Sequence, residues 1–338
     1  MAAGVRAADR HWWAAMMARV LVSGAAGFIG SHLVDALLSR GVEVVGLDRR
    51  RLGEHAIADE NLAAAIGNPL FTPLRRDLST DQLDDAVDGC DTVFHLAARP
   101  GVRPSWGAEF VDYAQANVLG THRLLDACAR SGVRRVVYAS SSSVYGPANR
   151  PSHEDDPTCP VSPYGVSKLA AEHLCLAHAR RPDSRLTAVA LRYFTVYGPR
   201  QRPDMAIGRL LFAAYTGFPV TIFGDGSQRR EFTYIGDVVA ATLAAAYVDA
   251  RYAVVNVGGG ASVSMRGAIE EASKVTGRHI PVQAADAQPG DVPSTSADLT
   301  RAGRLLGYWP TVGLHEGMAR QSAWLVNLSR DRLAAFTS

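Results

Sequence analysis

The chain has 338 residues, 47% of them hydrophobic and 20% charged, with a formal net charge of +2. That length suits one large domain or two smaller ones of a globular protein. The near-neutral balance, without long runs of one sign, argues against a nucleic-acid or membrane-surface partner.

Residues 1–17 carry no sustained apolar core and no convincing cleavage site, so they are read as an N-terminal extension rather than a signal peptide, with Met17 as an alternative start. No stretch of the sequence is apolar enough to predict a membrane span. Cys90, Cys128, Cys159 and Cys175 form no C-x-x-C, so neither a zinc knuckle nor a redox dithiol is suggested, and reduced thiols in a cytoplasmic protein are expected.

The first periodic unit spans residues 19–48. Val20-Leu21-Val22 reads as a strand and residues 23–30 as a glycine-rich turn. A helix with Leu33, Leu37 and Leu38 on one side follows, then a second apolar strand closing on Asp48. The alternation goes on through a strand at 92–96, a helix at 117–130, a strand at 135–140, a helix at 163–179 and a strand at 186–193. This βα pattern predicts an α/β fold, a doubly wound parallel sheet. Beyond it, residues 196–235 are rich in Gly, Pro and Arg, and 284–296 read as a polar loop. The expected division is a first domain over 18–195 and a smaller C-terminal domain over 196–338, with the strand at 254–257 returning to the first. No internal repeat is visible.

Gly24, Gly27 and Gly30 form G-x-x-G-x-x-G between strand and helix. In that setting the first glycine permits a tight turn, the second lets a pyrophosphate approach, and the third lets helix and strand pack closely. Asp48, at the end of the second strand, would accept hydrogen bonds from ribose hydroxyls and repel a 2′-phosphate, which favours NAD over NADP. Arg49-Arg50-Arg51, beside it, is the one feature that could bind that extra phosphate.

Tyr164 and Lys168 are the sole Tyr-x-x-x-Lys pair. Of the 35 basic residues only Lys168 and Lys274 are lysine, which makes Lys168 conspicuous. An i,i+4 pair shares one helix face, and a nearby ammonium would lower the phenol pKa toward that of a usable base.

On these motifs the chain resembles the extended short-chain dehydrogenase/reductases that act on nucleotide sugars. The resemblance runs from Arg19 to about Leu325. It rests on SGAAGFIGSHL, Asp48, Arg76-Asp77-Leu78, HLAA at 95–98, Asn117, SSSSVYG at 140–146, SPYGVSK at 162–168 and REFTYIGDV at 230–238. It implies a Rossmann-like first domain binding NAD and a second domain binding the UDP-sugar. The cofactor would be held by Gly24, Gly27, Phe28, Ile29, Gly30, Asp48, Asp77, Leu78, Leu96, Ala97, Ala98, Asn117, Tyr164 and Lys168. Tyr164 would take the proton of the sugar 4-hydroxyl as hydride leaves C4, and Ser141 would orient the 4-oxygen.

The serine run separates reaction types within that family. Relatives that dehydrate have Thr-Asp-Glu-Val-Tyr-Gly in this segment, and those that decarboxylate have Ser-Glu-Val-Tyr-Gly. Here Ser141, Ser142 and Ser143 stand in the same place. A hydroxyl is a poor base at neutral pH, so elimination lacks its acid/base pair, whereas 4-epimerisation needs none.

Residues 191–206, LRYFTVYGPRQRPDMA, resemble the pattern of UDP-glucuronate 4-epimerases. This implies that Thr195 and Arg202 hold the C5 carboxylate, and a guanidinium fork is matched to that group. Gln288, Asp291, Arg103 and Arg230 match the same subgroup, with Arg230 as the main diphosphate contact. The sequence departs from it at Pro104, commonly Tyr, and at Arg200-Gln201, often Trp-Gly. The expected reaction is therefore interconversion of UDP-glucuronic and UDP-galacturonic acid, with a UDP-glucose/UDP-galactose 4-epimerase as the alternative. A non-catalytic NAD-sensing regulator is the reading of a different class, and the intact Ser141, Tyr164 and Lys168 argue against it.

No metal site is expected. His173 and His178 are five apart with no carboxylate partner evident, and are read as structural. Gly258-Gly259-Gly260 is read as a turn. Apolar residues on more than one side of the helices near 113–130 and 163–179 suggest a homodimer, in keeping with the family.

Overall fold

The computed structural model describes residues 17–286, 288, 290–329, 333 and 336. The extension expected over 1–17 lies outside these residues except for Met17, whose side chain is buried in the core.

Seven parallel strands make the central sheet: β1 (Arg19–Ser23), β2 (Glu43–Asp48), β3 (Phe71–Arg75), β4 (Thr92–His95), β5 (Arg135–Ser141), β6 (Thr187–Tyr193) and, much later in the chain, β10 (Tyr252–Val257). Their spatial order is β3-β2-β1-β4-β5-β6-β10. The strand at 254–257 thus does return to the first domain, pairing with β6 in register Val255↔Leu191.

The sheet is covered on both faces because its inner strands are mostly apolar, with alternate residues pointing to opposite sides. Val20, Val22, Val137 and Val189 face one core, with Leu33 and Leu37 of α1 (Phe28–Leu38) and Val238 of α8 (Ile235–Ala245). Leu21, Val93, Val136 and Tyr138 face the other, with Leu124 of α5 (Gly120–Ser131) and Ala171 of α6 (Pro163–Arg180). Short helices α2 (Ala56–Leu62), α3 (Asp84–Val87) and α4 (Phe110–Tyr113) complete the connections.

The helix expected at 117–130 begins earlier and is interrupted. A π-helical turn, Ala114–Leu119, joins α4 to α5. Such bulges widen the helix and re-aim a side chain. Here the side chain is Asn117, which donates to the Arg99 carbonyl and accepts from the Arg99 amide.

The remaining described residues include two small sheets and four helices. One sheet is β11 (Ser262–Ser264), β9 (Arg229–Tyr234) and β7 (Thr195–Tyr197); the other pairs β8 (Val220–Phe223) with β12 (Val282–Ala285). The helices are α7 (Ala206–Thr216), α9 (Met265–Thr276), α10 (Thr300–Leu306) and α11 (Leu314–Leu325). The polar loop expected over 284–296 starts two residues later, because Ala284 and Ala285 pair with Ile222 and Phe223. Gly258-Gly259-Gly260 is a turn leading into β11. Among the described residues no helix is long and apolar enough to cross a membrane.

Candidate active site

The strand order reverses between β1 and β4, and a doubly wound sheet binds ligands in the crevice at such a point. A cleft of about 840 Å³ lies there. Its walls include Gly24, Gly27, Phe28, Ile29, Gly30, Asp48, Asp77, Leu78, Leu96, Ala97 and Ala98 from the strand ends and turns. They also include Ser141, Ser142, Ser143, Tyr164, Lys168, Thr195 and Arg202 from farther along the sheet.

The glycine turn is tight. Gly24 has φ +73°, and a Cβ on Gly30 would stand 2.1 Å from the Gly24 carbonyl oxygen, so no side chain fits there. The start of α1 thereby opens directly on the cleft, with its amides and the positive end of its dipole available to an anion. Asp48 is buried and already engaged. One oxygen accepts the Ala26 amide (3.1 Å), and both accept the Arg50 guanidinium at 2.9 Å. Arg51 instead pairs with Glu54 and Arg49 is exposed. Of the arginine triplet, Arg49 and Arg50 line the cleft beside Asp48 and Arg51 does not. Asp77 caps its own turn by accepting the Ser79 amide at 2.8 Å.

Asn117 does not reach the cleft wall. It is buried behind it, donating to the Ser167 hydroxyl at 2.9 Å, and Ser167 in turn donates to the Tyr164 carbonyl at 2.8 Å. It thus supports α6 from the rear. Close to it His95 lies between Ser23 (Nδ1, 2.7 Å) and Thr121 (Nε2, 2.8 Å). Thr121 donates its own proton to the Asn117 carbonyl (2.6 Å), so Nε2 carries the imidazole hydrogen and Nδ1 accepts from Ser23. Burial drives the His95 pKa down to about 3, with the Lys168 charge adding to the effect.

Helix α6 starts at a strong cap. The Ser162 hydroxyl accepts the Gly165 amide at 3.0 Å, and Pro163 occupies the first turn. A Cβ on Gly165 would lie 2.5 Å from the Ser143 carbonyl oxygen, so glycine is what allows the helix to approach the serine run. The run itself ends β5 and turns as a short 3-10 helix, Ser142–Val144, capped by the Ser141 hydroxyl. SSSSVYG is thus a strand lip on the cleft and not a linker.

Burial raises the Tyr164 phenol pKa, while a hydrogen bond with Ser141 and the charge of Arg202 pull it down. The sequence assigned that lowering to Lys168. The lysine ammonium lies 4.4 Å over the centre of the Tyr138 ring, and burial brings its own pKa down to about 7. The i,i+4 spacing placed both residues on one face, as expected, but the long lysine chain reaches toward the sheet.

Arg202 lines the same cleft as Thr195, and its guanidinium is bidentate to Asp204, at 2.9 and 2.6 Å. Burial would raise the Asp204 carboxyl, but these bonds hold it below its ordinary value. Arg103, Arg230, Gln288 and Asp291 are not on the cleft wall and gather beside it. Arg103 pairs with Asp291 at 2.8 Å, Arg230 lies 3.9 Å from Asp291 and donates to the Val292 carbonyl, and Gln288 accepts the Asp291 amide at its carbonyl. Pro289, between them, lies outside the described residues.

Several site residues escaped the sequence reading. Glu172 binds Arg192 bidentately within the core and accepts the Ser140 hydroxyl at 2.6 Å; its position four residues after Lys168 was the available signal. Ser105, whose hydroxyl accepts the Tyr164 amide, and Tyr113, edge-on to the Tyr164 ring, had none. His178 corrects an expectation: it lies with His122 and Asp126 of α5, 3.8 Å from the carboxylate, a partner that sequence spacing along α6 did not reveal, while His173 faces solvent.

Residues 20–258 match the model of the NAD dependent epimerase/dehydratase family. An uncharacterized UDP-glucose epimerase of Bacillus subtilis, YtcB, is 40% identical over 92% of this chain and 98% of its own. The UDP-glucuronic acid 4-epimerase of Bacillus cereus, solved with UDP-glucuronic acid and NAD, is 40% identical over 92% of this chain and all of its own, with a TM-score of 0.87. MoeE5, solved with NAD and UDP-glucose, is 49% identical over 90% of this chain and 98% of its own, TM-score 0.84. MoeE5 has also been solved with UDP-glucuronic acid and NAD.

Proposed function

Because this chain belongs to the NAD-dependent epimerase/dehydratase family, we propose that it is an isomerase that interconverts UDP-glucuronic acid and UDP-galacturonic acid by inverting C4 through a transient 4-keto sugar. NAD, when bound, supplies the hydride acceptor and donor for that cycle. Its dinucleotide fits the turn that Gly24, Gly27 and Gly30 leave free of side chains, the α1 amides, and Asp48 at the ribose position.

The observation that carries this reading is one end of the cleft. There the Tyr164 phenol has Ser141 as hydrogen-bond partner and the Arg202 charge close by, while serines fill positions 141–143. Tyr164 takes the 4-hydroxyl proton as C4 is oxidised and returns it after the sugar has turned its other face. Ser141 keeps the 4-oxygen in line with the phenol. Arg202 and Thr195 hold the C5 carboxylate. Fixing that group in charged hydrogen bonds opposes loss of CO₂ from the β-keto acid. In this reading Arg230, Gln288 and Asp291 belong to the diphosphate side and Arg103 to the sugar. Residues 18–195 act mainly on cofactor and 196–338 on substrate. The protein works as a cytoplasmic homodimer.

One observation favours a neutral UDP-glucose substrate. The Arg202 fork is already filled by Asp204, so a uronate must displace an internal carboxylate. Incubating the protein with UDP-glucuronate and NAD and resolving products by NMR tests the reading, UDP-galacturonate being the expected product. Tyr164→Phe should lower kcat at least ~100-fold. Arg202→Ala should lower kcat/KM for the uronate by roughly 10- to 100-fold, as loss of a charged hydrogen bond of about 1.5–3 kcal/mol implies, and affect UDP-glucose far less. Faster turnover of UDP-glucose by the unaltered protein would replace the uronate reading with the neutral one.

A further inference from the structure

Arg202 sits on an irregular segment, residues 198–205, that would ordinarily be mobile. Here the segment is fastened on two sides. Toward the cofactor helix, His32 bonds the Pro199 carbonyl through Nε2 at 2.9 Å, and Arg200 pairs with Asp35 of α1 at 2.7 Å. Arg200 is, among the described residues, the non-glycine residue with left-handed φ, +65°. Such a conformation persists where the surroundings enforce it.

Toward the C-terminal domain the fastening is a buried amide pair. Gln201 is 1% exposed and Gln321, on α11, fully buried. Gln201 Nε2 donates to the Val196 carbonyl (3.1 Å), and its Oε1 accepts from Gly208 N (3.0 Å) and Gln321 Nε2 (2.7 Å). Gln321 Oε1 accepts from Gly198 N at 2.9 Å. The two side chains thus tie together the start of the segment, the strand before it, the helix after it and α11. Gly198 and Gly208 would otherwise leave amides unpaired in the core.

We propose that Gln201, with Gln321, is a positioning residue for recognition of the sugar C5 substituent: the buried amide pair fixes residues 198–205 so that the Arg202 guanidinium stands at the Tyr164 end of the cleft. The inference rests on the uronate reading and extends it. Arg202 follows Gln201 directly and its guanidinium is held by Asp204 of the same segment, so arginine and carboxylate are both carried on the backbone that Arg200 and Gln201 immobilise. Arg202 lines the same cleft as Ser141, Tyr164 and Thr195, and its charge lowers the phenols of Tyr164 and Tyr113. A preset guanidinium loses less conformational freedom on meeting a carboxylate. By the resemblance, the uronate subgroup often has Trp-Gly at positions 200–201. A glycine has no side-chain amide, so relatives with Trp-Gly lack this fastening.

The test uses Gln201→Met and Gln321→Met, which keep side-chain length and remove the amides, with Arg202→Ala as reference. KM and kcat are measured for UDP-glucuronate and UDP-glucose, with the pH dependence of kcat/KM. Each Met variant is expected to raise KM for the uronate ~10-fold and for UDP-glucose less than ~2-fold, a split that general loosening does not produce. The acidic limb of the profile should move to higher pH, because the displaced guanidinium no longer lowers the Tyr164 phenol. Equal changes for both sugars with an unmoved limb would overturn the inference. If the Met variants do not fold, Arg200→Gly decides the matter. Glycine adopts φ +65° freely, so this change unfastens the α1 side without straining the backbone, and the same selective rise in KM is expected. If the unaltered protein turns over UDP-glucose alone, the uronate reading fails by itself. The pH limb then judges the positioning role: a shift sustains it, no shift ends it.

Discussion

At the scale of single residues, His95 shows how a buried group records its surroundings. It is 1% exposed, bonded on both nitrogens, and its pKa is driven to about 3 by burial and then by Lys168. Between about pH 3 and its ordinary 6.5 the unfolded chain binds a proton at this position and the folded chain does not. Stability from this group is therefore complete above pH 6.5 and is lost as pH falls. His95→Gln removes the dependence. The stability difference between the unaltered protein and this variant, from urea unfolding, should fall by about 1.4 kcal/mol for each pH unit below about 6.5. A constant difference from pH 7 to 4.5 would show that His95 is not held neutral. Residues of this kind divide sharply in how legible they are. Gly24, Gly30, Tyr164 and Lys168 could be read because their chemistry depends on spacing within one turn or one helical step. The role of His95 depends on Ser23 and Thr121, brought to it by two other elements, β1 and α5, and HLAA alone does not encode that.

At the scale of elements, β5, β6 and α6 are held in mutual register by a buried ion pair. Arg192 of β6 and Glu172 of α6 join at 2.6 and 3.1 Å, with side chains 5% and 1% exposed, and Glu172 also takes the Ser140 hydroxyl. Arg192 further lies 4.7 Å over the Tyr145 ring. The pair fixes how α6 lies on the strand end that carries Ser141, hence the separation of Ser141 and Tyr164. Breaking one side leaves an uncompensated charge in the core, which costs about 3–5 kcal/mol. Glu172→Ala should lose that much in urea unfolding, and a loss below about 1 kcal/mol would mean that water or a neighbour takes over from Glu172. The elements themselves were mostly legible, since alternating strand and helix periods carry the doubly wound order through β6. The π-helical turn at Ala114–Leu119 was not. Its sequence AQANVL is ordinary helix, and only the pull of Asn117 onto the Arg99 backbone changes its hydrogen-bond register.

At the scale of the whole molecule, a surface made by α4, the π-helical turn, α5 and α6 carries apolar side chains with nothing over them. Val111 is 59% exposed, Leu119 44% and Val166 47%. Val111 and Leu119 are eight residues apart, about two turns, so they share one face of the composite helix. Val166 extends that surface onto the neighbouring α6, which packs against both. Adjoining helix faces of this kind can be closed by a twofold axis, each residue then occurring twice in the interface. That repetition makes charge substitution a sharp probe, because one change introduces two carboxylates into the same contact. The protein should sediment at twice the chain mass at micromolar concentration. Leu119→Glu with Val166→Glu should bring it to the monomer with its helical circular dichroism kept, since both side chains are already solvent-facing within the protomer and their replacement removes little from its core. A monomeric mass for the unaltered protein would leave these residues as isolated surface hydrophobics. The cleft lies within one protomer, so the monomeric variant should also retain NAD, which separates loss of the interface from loss of the fold.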